Sequence, residues 1–255
     1  SYYGPVVQQW AVQNGGWERV KKLDVGFDME LFRELSITFD FFYDKRYNIL
    51  LHREAWPQSL GFHGAKPWSN KGKVDNWGYE VSTNWRKQLT KDLTVDFRGT
   101  FTYTQNKYID LDEPIYPYVW QTATGKPLNR RTGYIAEGLF QSQEEIDNSP
   151  TQNLGSKPMP GDIKYRDVDG NGLIDSKDQV MISKTAGMPR IQYGFGVNID
   201  WKRFNFGVFF NGSAMRDIDI NGLHPFGQND YNAMKFVAEN RWTEANPNPN
   251  AEYPR

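Results

Sequence analysis

Hydrophobic and polar residues alternate along six segments of the chain. Between residues 23 and 31, leucine, valine, phenylalanine and methionine occupy the odd positions, whereas aspartate, glycine and glutamate occupy the even ones. Successive side chains of a β-strand point to opposite faces, so this period of two predicts strands with one apolar and one polar face. The six predicted strands are residues 23–31, 35–43, 77–85, 93–103, 191–201 and 204–210.

The connections between these segments are alternately short and long. Residues 32–34, 86–92 and 202–203 make short connections and predict three hairpins, whereas residues 45–74 and 105–190 make long ones. A compact soluble domain rarely contains an irregular connection of such length, but an outer-membrane barrel has short turns at one rim and long loops at the other. We therefore expect an all-β fold, an antiparallel transmembrane β-barrel segment with a long extracellular loop region at residues 105–190.

The number of strands bears on how complete this barrel is. Six strands are too few to close a pore-sized barrel. The chain also begins without a basic and apolar leader and ends in a loop-like stretch at residues 252–255. We accordingly expect residues 1–255 to form part of one barrel domain, without its signal peptide, plug or final strands. The alternative for the same alternation is a soluble sandwich in which the apolar face packs on a second sheet.

Composition narrows the functional classes. Thirty basic and thirty-one acidic residues give a net charge of -1, which provides no field to hold nucleic acid. The absence of cysteine excludes disulfides and thiolate metal sites, and the three histidines are scattered without a zinc-binding spacing. A mean hydropathy of -0.74 together with 15% aromatic residues fits alternating barrel strands. No nucleophile and base occur in a recognisable catalytic arrangement, so we expect no enzyme activity.

Residues 167–178, with the sequence DVDGNGLIDSKD, carry the one motif that indicates a specific chemistry. The motif follows the calcium-loop pattern, with acids or amides at the first, third, fifth, ninth and last positions and glycine at the sixth. The expected ligands are the side chains of Asp167, Asp169, Asn171, Asp175 and Asp178 and the carbonyl of Leu173. The closing Asp178 is shorter than the usual glutamate, so the loop favours weaker calcium binding or magnesium. We expect a structural Ca²⁺, with Mg²⁺ as an alternative ion; an Asx-rich turn without an ion is the other interpretation.

Aromatic residues in the long connections are candidate ligand-binding residues. Exposed indole and phenol rings can stack on sugar rings, but rings in loops also pack against the loops that carry them. Both interpretations apply to the same set, which is Trp56, Trp68, Tyr116, Tyr118 and Trp120.

Several separated motifs together resemble one known family. They are WERVKK at residues 17–22 leading into DVGFD at 24–28, FDFFYDK at 39–45, GLFQSQEEI at 138–146 and PGDIKYR at 160–166. GMPR at residues 187–190, RWT at 241–243, NPN at 246–248 and YPR at 253–255 extend the similarity along the chain. This ordered set resembles the barrel of SusC/RagA-type TonB-dependent transporters.

The resemblance implies an outer-membrane location in a Gram-negative bacterium and a barrel of about 22 strands. It further implies an N-terminal plug, energy supplied through TonB, and a SusD-like surface lipoprotein that helps to capture oligosaccharides. Outer-membrane lipid would then contact the apolar faces, and the polar faces would line the lumen. The residues expected on the lumen side include Asp24, Asp28, Glu30, Thr38, Asp40, Glu80, Arg98, Asn198 and Asp200.

Two other functions remain as alternatives. A secreted glycan-binding β module with a structural calcium site would need the apolar faces to be buried against protein. A glycoside hydrolase would need two carboxylates facing each other at about 5 to 9.5 Å, and no sequence feature selects such a pair.

Overall fold

The structure is a computed structural model, and it describes residues 10, 12, 15–55, 66–152, 154–218 and 234–255. Six long strands and several short elements make up this part of the chain. In chain order the elements are β1 (Arg19–Leu31), β2 (Leu35–His52), β3 (Trp68–Thr90), β4 (Leu93–Asp110), β5 (Arg131–Gly133), β6 (Ala136–Leu139), α1 (Gln143–Asp147), β7 (Thr151–Gln152), β8 (Ile163–Tyr165), β9 (Leu173–Ile174), β10 (Val180–Ser183), β11 (Ile191–Trp201), β12 (Phe204–Ala214) and α2 (Lys235–Asn240). Among the described residues, no helix is both long enough and apolar enough to span a bilayer.

The six long strands pair in the order β1-β2-β3-β4-β11-β12, and every neighbouring pair is antiparallel. The predicted all-β fold and its three hairpins are therefore confirmed. The register shows why the pattern was so regular. Phe27 lies opposite Phe39, which lies opposite Val81, which in turn lies opposite Phe101. The apolar positions of all six strands thus share one face of the sheet.

Stacked rings cover this apolar face. The rings of Phe27 and Phe39 are 5.5 Å apart, those of Phe39 and Tyr79 are 6.4 Å apart, and those of Tyr79 and Phe101 are 6.0 Å apart. Cross-strand aromatic pairs of this kind fix the register of a sheet. The face itself is open within this structure, because more than half of the side-chain surface of Val25 and of Phe210 remains exposed.

The strands are longer than the alternation predicted. β3 continues to Thr90, so the predicted connection at residues 86–92 shrinks to Lys91 and Asp92. β2 likewise extends into the predicted long connection as far as His52, and β4 extends to Asp110. Main-chain hydrogen bonds propagate a ladder whatever the side chains are, so the pairing continues beyond the apolar region. Register shifts between Arg46 and Leu51 mark where this extension becomes irregular.

The chain consists of two compact units. The first consists of residues 1–116, 122–129 and 187–217 and contains the six-stranded sheet. The second consists of residues 117–121, 130–186 and 218–255 and contains three two-stranded sheets, β5/β10, β6/β8 and β7/β9, together with α1 and α2. Its core is formed by Phe140, Ile174, Val237 and Trp242, which are almost fully buried.

Candidate metal centre and aromatic residues

The predicted metal loop at residues 167–178 is built from tight turns around Asp167. The two carboxylate oxygens of Asp167 accept hydrogen bonds from the backbone N–H groups of Gly170 and Gly172, at 2.8 and 2.7 Å. Both glycines have positive φ angles, +74° and +83°, which residues with a Cβ rarely adopt. The glycine positions of the motif are therefore explained by the backbone conformation of the loop.

The end of the loop is fixed by Asp178, which is fully buried. Its Oδ1 accepts a hydrogen bond from Val168 N–H at 2.8 Å, and its Oδ2 accepts one from Asp175 N–H at 2.8 Å. A short 3-10 turn (Ser176–Asp178), capped by Asp175, places the carboxylate in this position. Asp178, the last residue of the motif, is therefore bonded both to its second residue and to its ninth.

Three of the predicted carboxylate ligands converge. Oxygens of Asp167, Asp169 and Asp178 lie within 4.8 Å of one another. The N–H groups of Gly172 and, to a lesser extent, Gly170 lower the pKa of Asp167 below its usual value of 3.8, so this carboxylate is charged at neutral pH. Like charges at such separations repel, and a divalent cation is the usual compensation for a cluster of hard oxygens.

The other predicted ligands are engaged in the turns of the loop. The Asn171 side-chain oxygen accepts a hydrogen bond from Leu173 N–H at 2.7 Å. Asp175 is outside the convergent group: its Oδ1 accepts a hydrogen bond from Lys177 N–H at 2.7 Å, and its Oδ2 lies 3.8 Å from the Lys177 ammonium. Leu173 belongs to β9, which pairs in parallel with β7 and so ties the loop to an earlier segment of the chain.

Two of the candidate aromatic residues lie against the metal loop. Tyr118 and Trp120 stack with their ring centroids 4.5 Å apart and their planes 8° from parallel. Trp120 Nε1 donates a 2.8 Å hydrogen bond to the carbonyl of Lys177. The hydroxyl of Tyr118 hydrogen-bonds to the Asp169 carboxylate, and this bond raises the pKa of the phenol above 10.0. No spacing in the chain indicates this contact, because about fifty residues separate the two segments.

The remaining candidate aromatic residues are separate from the loop. The ring of Trp68, at the start of β3, lies 3.7 Å from the ring of His52, which is opposite it in the β2/β3 register. This contact favours the structural interpretation of Trp68. Tyr116 is about one-third exposed. Trp56 lies outside the described residues.

A second charged cluster, not predicted from the sequence, lies at the end of β4. Arg53 Nε donates a 2.7 Å hydrogen bond to Asp112 Oδ2, and Lys71 Nζ lies 3.1 Å from Asp112 Oδ1. The Arg53 hydrogen bond, with a smaller contribution from Lys71, lowers the pKa of Asp112. These residues come from three separate segments that only strand pairing brings together, so no spacing in the sequence indicates the cluster. It ties the residues after β2 to the end of β4.

Comparison with known proteins identifies relatives along almost the whole chain. TonB-dependent receptor P3 of Formosa agariphila is 28% identical over 98% of this chain, which spans 26% of that protein. TonB-dependent receptor SusC of Bacteroides thetaiotaomicron is 26% identical over 81% of this chain, which spans 20% of that protein. The chain thus covers about a quarter of the length of the curated relatives it matches. No protein-family model matches it.

Solved structures show the same fold. The RagAB peptide transporter superposes with a TM-score of 0.64 at 18% identity, covering 94% of this chain and 26% of that one. The RagAB peptide importer in its open-open state gives 0.63 at 19% identity, again over 94% of this chain. The resemblance to SusC-like TonB-dependent transporters is therefore confirmed. The names of these relatives, receptors and transporters, are consistent with a chain that has no catalytic function.

Proposed function

We propose that this chain forms six wall strands of a TonB-dependent outer-membrane barrel that imports oligosaccharides in a Gram-negative bacterium. The observation that carries the proposal is the single apolar face shared by all six strands, opposite a face of acids, hydroxyls and amides. Lipid on one side and a water-filled lumen on the other would satisfy both faces at once. The similarity to SusC and to TonB-dependent receptor P3 supports this assignment.

The height of the apolar face supports a membrane crossing. From Leu35 to Tyr43 the strand advances about 27 Å, which a tilt of about 40° reduces to about 21 Å along the membrane normal. The apolar band of an outer-membrane barrel is about 25 Å high. Tyr43 lies opposite Trp77 at one end of the face, and Trp85 lies opposite Leu35 at the other. Aromatic residues at these two levels are typical of interfacial girdles.

The polar face has the residues expected of a lumen wall. Asp28 lies opposite Thr38, whose hydroxyl donates a 2.6 Å hydrogen bond to it, and Asp40 lies opposite Glu80. On the other half of the sheet, Asn198 and Asp200 occupy the same face. Water hydrates these side chains readily. A hydrophilic ligand would therefore move along this wall with little loss of solvation free energy.

The proposed partners follow from the resemblance. A SusD-like lipoprotein would cover the outer opening, TonB would act through a plug, and an oligosaccharide would be the ligand. Tyr118 and Trp120, which are both partly exposed, are the candidate rings on which a sugar would stack. We place this pair in a long loop on the outer side of the membrane.

We further propose that residues 167–178 hold one structural Ca²⁺, or Mg²⁺ in its place. Asp167, Asp169 and Asp178 would supply the convergent carboxylates. Asn171 and the carbonyl of Leu173 would complete the set of hard oxygens, and Asp175 would contribute after a small rearrangement or through water. The ion would offset the repulsion between these acids and hold the turns of the loop in place.

A pair of neighbouring residues on β1 tests the barrel proposal. This chain contains no cysteine. Val25→Cys and Asp24→Cys can therefore be labelled singly with an environment-sensitive fluorophore in a full-length protein whose cysteines outside this chain have been replaced. Val25 is on the apolar face and Asp24 on the polar face, so each variant is a control for the other. In vesicles, brominated acyl chains should quench the label at residue 25 and leave the label at residue 24 in water.

The two outcomes separate the competing functions. A label at residue 25 that is shielded from water but not quenched by brominated lipid would mean that the apolar face packs on protein, as in a secreted glycan-binding module. Detergent extraction gives an independent check, because a barrel stays in the outer membrane until detergent is added.

A further inference from the structure

A row of lysines crosses one end of the apolar face, two residues beyond its aromatic level. Lys21 lies opposite Lys45, and Lys45 lies opposite Asp75. Asp75 in turn lies opposite Lys107. Residues directly opposite each other share a face, so the lysine row (Lys21, Lys45, Asp75 and Lys107) continues the apolar face and not the polar one. The row is about 14 Å wide, because neighbouring strands are about 4.8 Å apart, and it lies at the end of the strands from which the long connections leave.

Two of the ammonium groups lie over aromatic rings. Lys45 Nζ is 5.5 Å from the centroid of the Tyr43 ring, and Lys21 Nζ is 5.8 Å from that of the Tyr47 ring. A ring attracts a cation through its quadrupole but has no net charge, so both ammonium groups keep their positive charge. The hydroxyl of Tyr43 also donates a 2.6 Å hydrogen bond to Asp75 Oδ2. The rings therefore hold the lysines in place, and a phenol engages the one acid of the row.

The row has a positive charge that nothing in the described part of the chain neutralises. Within those residues, none of Lys21, Lys45 and Lys107 forms an ion pair with a carboxylate. Three lysines and one aspartate leave the row with a net charge of +2. An anionic partner would complement this charge.

Basic residues in comparable places on the sheet are paired with acids. Lys87 is on the same face at the opposite end of β3, and its ammonium lies 2.9 Å from a carboxylate oxygen of Glu34. Arg46 is next to Lys45 but on the opposite face, and its guanidinium lies 2.9 Å from a carboxylate oxygen of Glu18. The unpaired cations are therefore specific to one face and to one end of that face.

The rest of the proposed barrel would leave this face uncovered. Further strands would pair along the edges of β1 and β12 and so extend the wall in its own plane. The plug would lie in the lumen, against the opposite face. The lysine row would then lie just beyond the apolar band on the outer side of the membrane, at the level of the lipid headgroups.

We propose that Lys21, Lys45 and Lys107 bind the phosphorylated headgroup of an anionic lipid in the outer leaflet. The ammonium groups would pair with phosphate oxygens through charge-assisted hydrogen bonds, and the acyl chains would lie along the apolar face. A lysine near an anionic membrane surface changes affinity by about 5-fold. The proposal rests on the barrel part of the proposed function, because it requires the apolar face to contact lipid.

Lipid binding by the purified full-length protein tests the site. The probes are diphosphoryl lipid A and the same lipid after enzymatic removal of its phosphates, and native mass spectrometry measures how much of each stays bound. The wild-type protein should bind the phosphorylated form more tightly. Lys21→Gln, Lys45→Gln and Lys107→Gln should each lower that affinity by about 5-fold, and the triple variant should lower it by about 100-fold. The affinity for the dephosphorylated lipid should stay the same.

Two lysines of the same sheet provide matched controls. Lys22→Gln removes the same charge from the neighbouring position on β1, where the side chain is on the polar face opposite Asp44. Lys87→Gln removes a lysine from the lipid-facing side at the other end of the strands. Neither variant should change the affinity for either lipid.

Three results would overturn the lipid site. They are equal affinities of the wild-type protein for the two lipids, a triple variant that binds the phosphorylated lipid as tightly as wild type, and a triple variant that changes its oligomeric state in place of its lipid binding. The last result would assign the row to a protein interface. The label at residue 25 separates these failures from failure of the barrel: quenching by brominated lipid without lysine dependence removes the lipid site alone, whereas absence of quenching removes the barrel and the site together.

Discussion

The indole N–H of Trp120 donates a hydrogen bond to the carbonyl of Lys177, the residue that precedes the buried Asp178. This contact fastens the closing turn of the metal loop to a segment more than fifty residues earlier. Trp120→Phe keeps an aromatic ring and removes the N–H donor together with part of the ring surface that stacks on Tyr118. We expect it to destabilise the loop by about 1 kcal/mol, measured by hydrogen exchange of the amides at residues 173–178. Trp17→Phe, at an indole that is 90% exposed, should leave those rates unchanged.

We expect Tyr118 to strengthen cation binding at the proposed site. Its hydroxyl bonds to Asp169, and groups that orient a metal ligand in this way affect affinity by about 10- to 100-fold. Tyr118→Phe should therefore weaken calcium binding by about 10-fold in calorimetry on the full-length protein. Tyr116→Phe is the control for removal of a phenol. An unchanged calcium affinity in Tyr118→Phe would show that the hydroxyl does not orient Asp169.

Asp178 and Asp175 should differ in their contributions to cation binding. Asp178 is in the convergent group, whereas Asp175 is outside it. Asp178→Asn should reduce the affinity for calcium by about 100-fold or more, because a charged ligand is lost and an amide N–H₂ meets backbone donors. Asp175→Asn should have a smaller effect. Equal losses in the two variants would indicate that the loop rearranges to recruit Asp175 fully.

The Asp112 cluster should give a pH-dependent stability. The pKa of Asp112 is lowered in the folded protein. Its ion pairs therefore contribute their full stabilisation at any pH above 3.8, the ordinary pKa of the side chain. This stabilisation is lost as the pH falls through the lowered pKa. Asp112→Asn should cost about 1–3 kcal/mol at pH 7, measured by urea unfolding in vesicles. The difference from wild type should shrink as the pH falls below about 4 and further through the lowered pKa.

Gly196→Ala should disturb both the sheet and the ring above it. The new Cβ would lie 2.6 Å from Phe209 Cδ2 and 2.8 Å from the carbonyl oxygen of Val208, and the second contact is with backbone that cannot rotate away. We expect a loss of about 1–3 kcal/mol in the free energy of unfolding. Gly16→Ala is the control, because no heavy atom lies within 4 Å of the Cβ it would carry. A neutral Gly196→Ala would mean that the strands separate easily at this point.

The strands were predictable because the alternation of apolar and polar residues that indicates each strand lies within that strand. Alternation over residues 23–31 and 35–43 located β1 and β2 and predicted the hairpin that they form. The extensions beyond these segments were not predictable, because a ladder of backbone hydrogen bonds has no side-chain signature. Helix α1 had a readable signal, since Ser142 and Glu145 form a cap in which the Ser142 hydroxyl accepts a bond from Glu145 N–H.

The metal loop was predictable in its composition and only partly in its contacts. The spacing selected six ligands, and the structure brings carboxylate oxygens of three of them, Asp167, Asp169 and Asp178, within 4.8 Å of one another. The spacing assigned Asp175 a direct or water-mediated contact, and in the structure its carboxylate accepts a hydrogen bond from Lys177 N–H. The β7/β9 ladder and the Trp120 contact depend on the path of the chain between distant segments, and no local pattern encodes that path.

The order of the sheet places β1 and β12 at its two ends, so each has a partner on one side only within the described part of the chain. An edge of this kind presents a row of unsatisfied amide and carbonyl groups and acts as a template for any other extended chain. Expressed by itself, this polypeptide would be expected to seek strands from other copies and to grow into ladders. The free edges of β1 and β12 are the places where further strands of a larger barrel would pair. In the isolated chain the same two edges would promote aggregation.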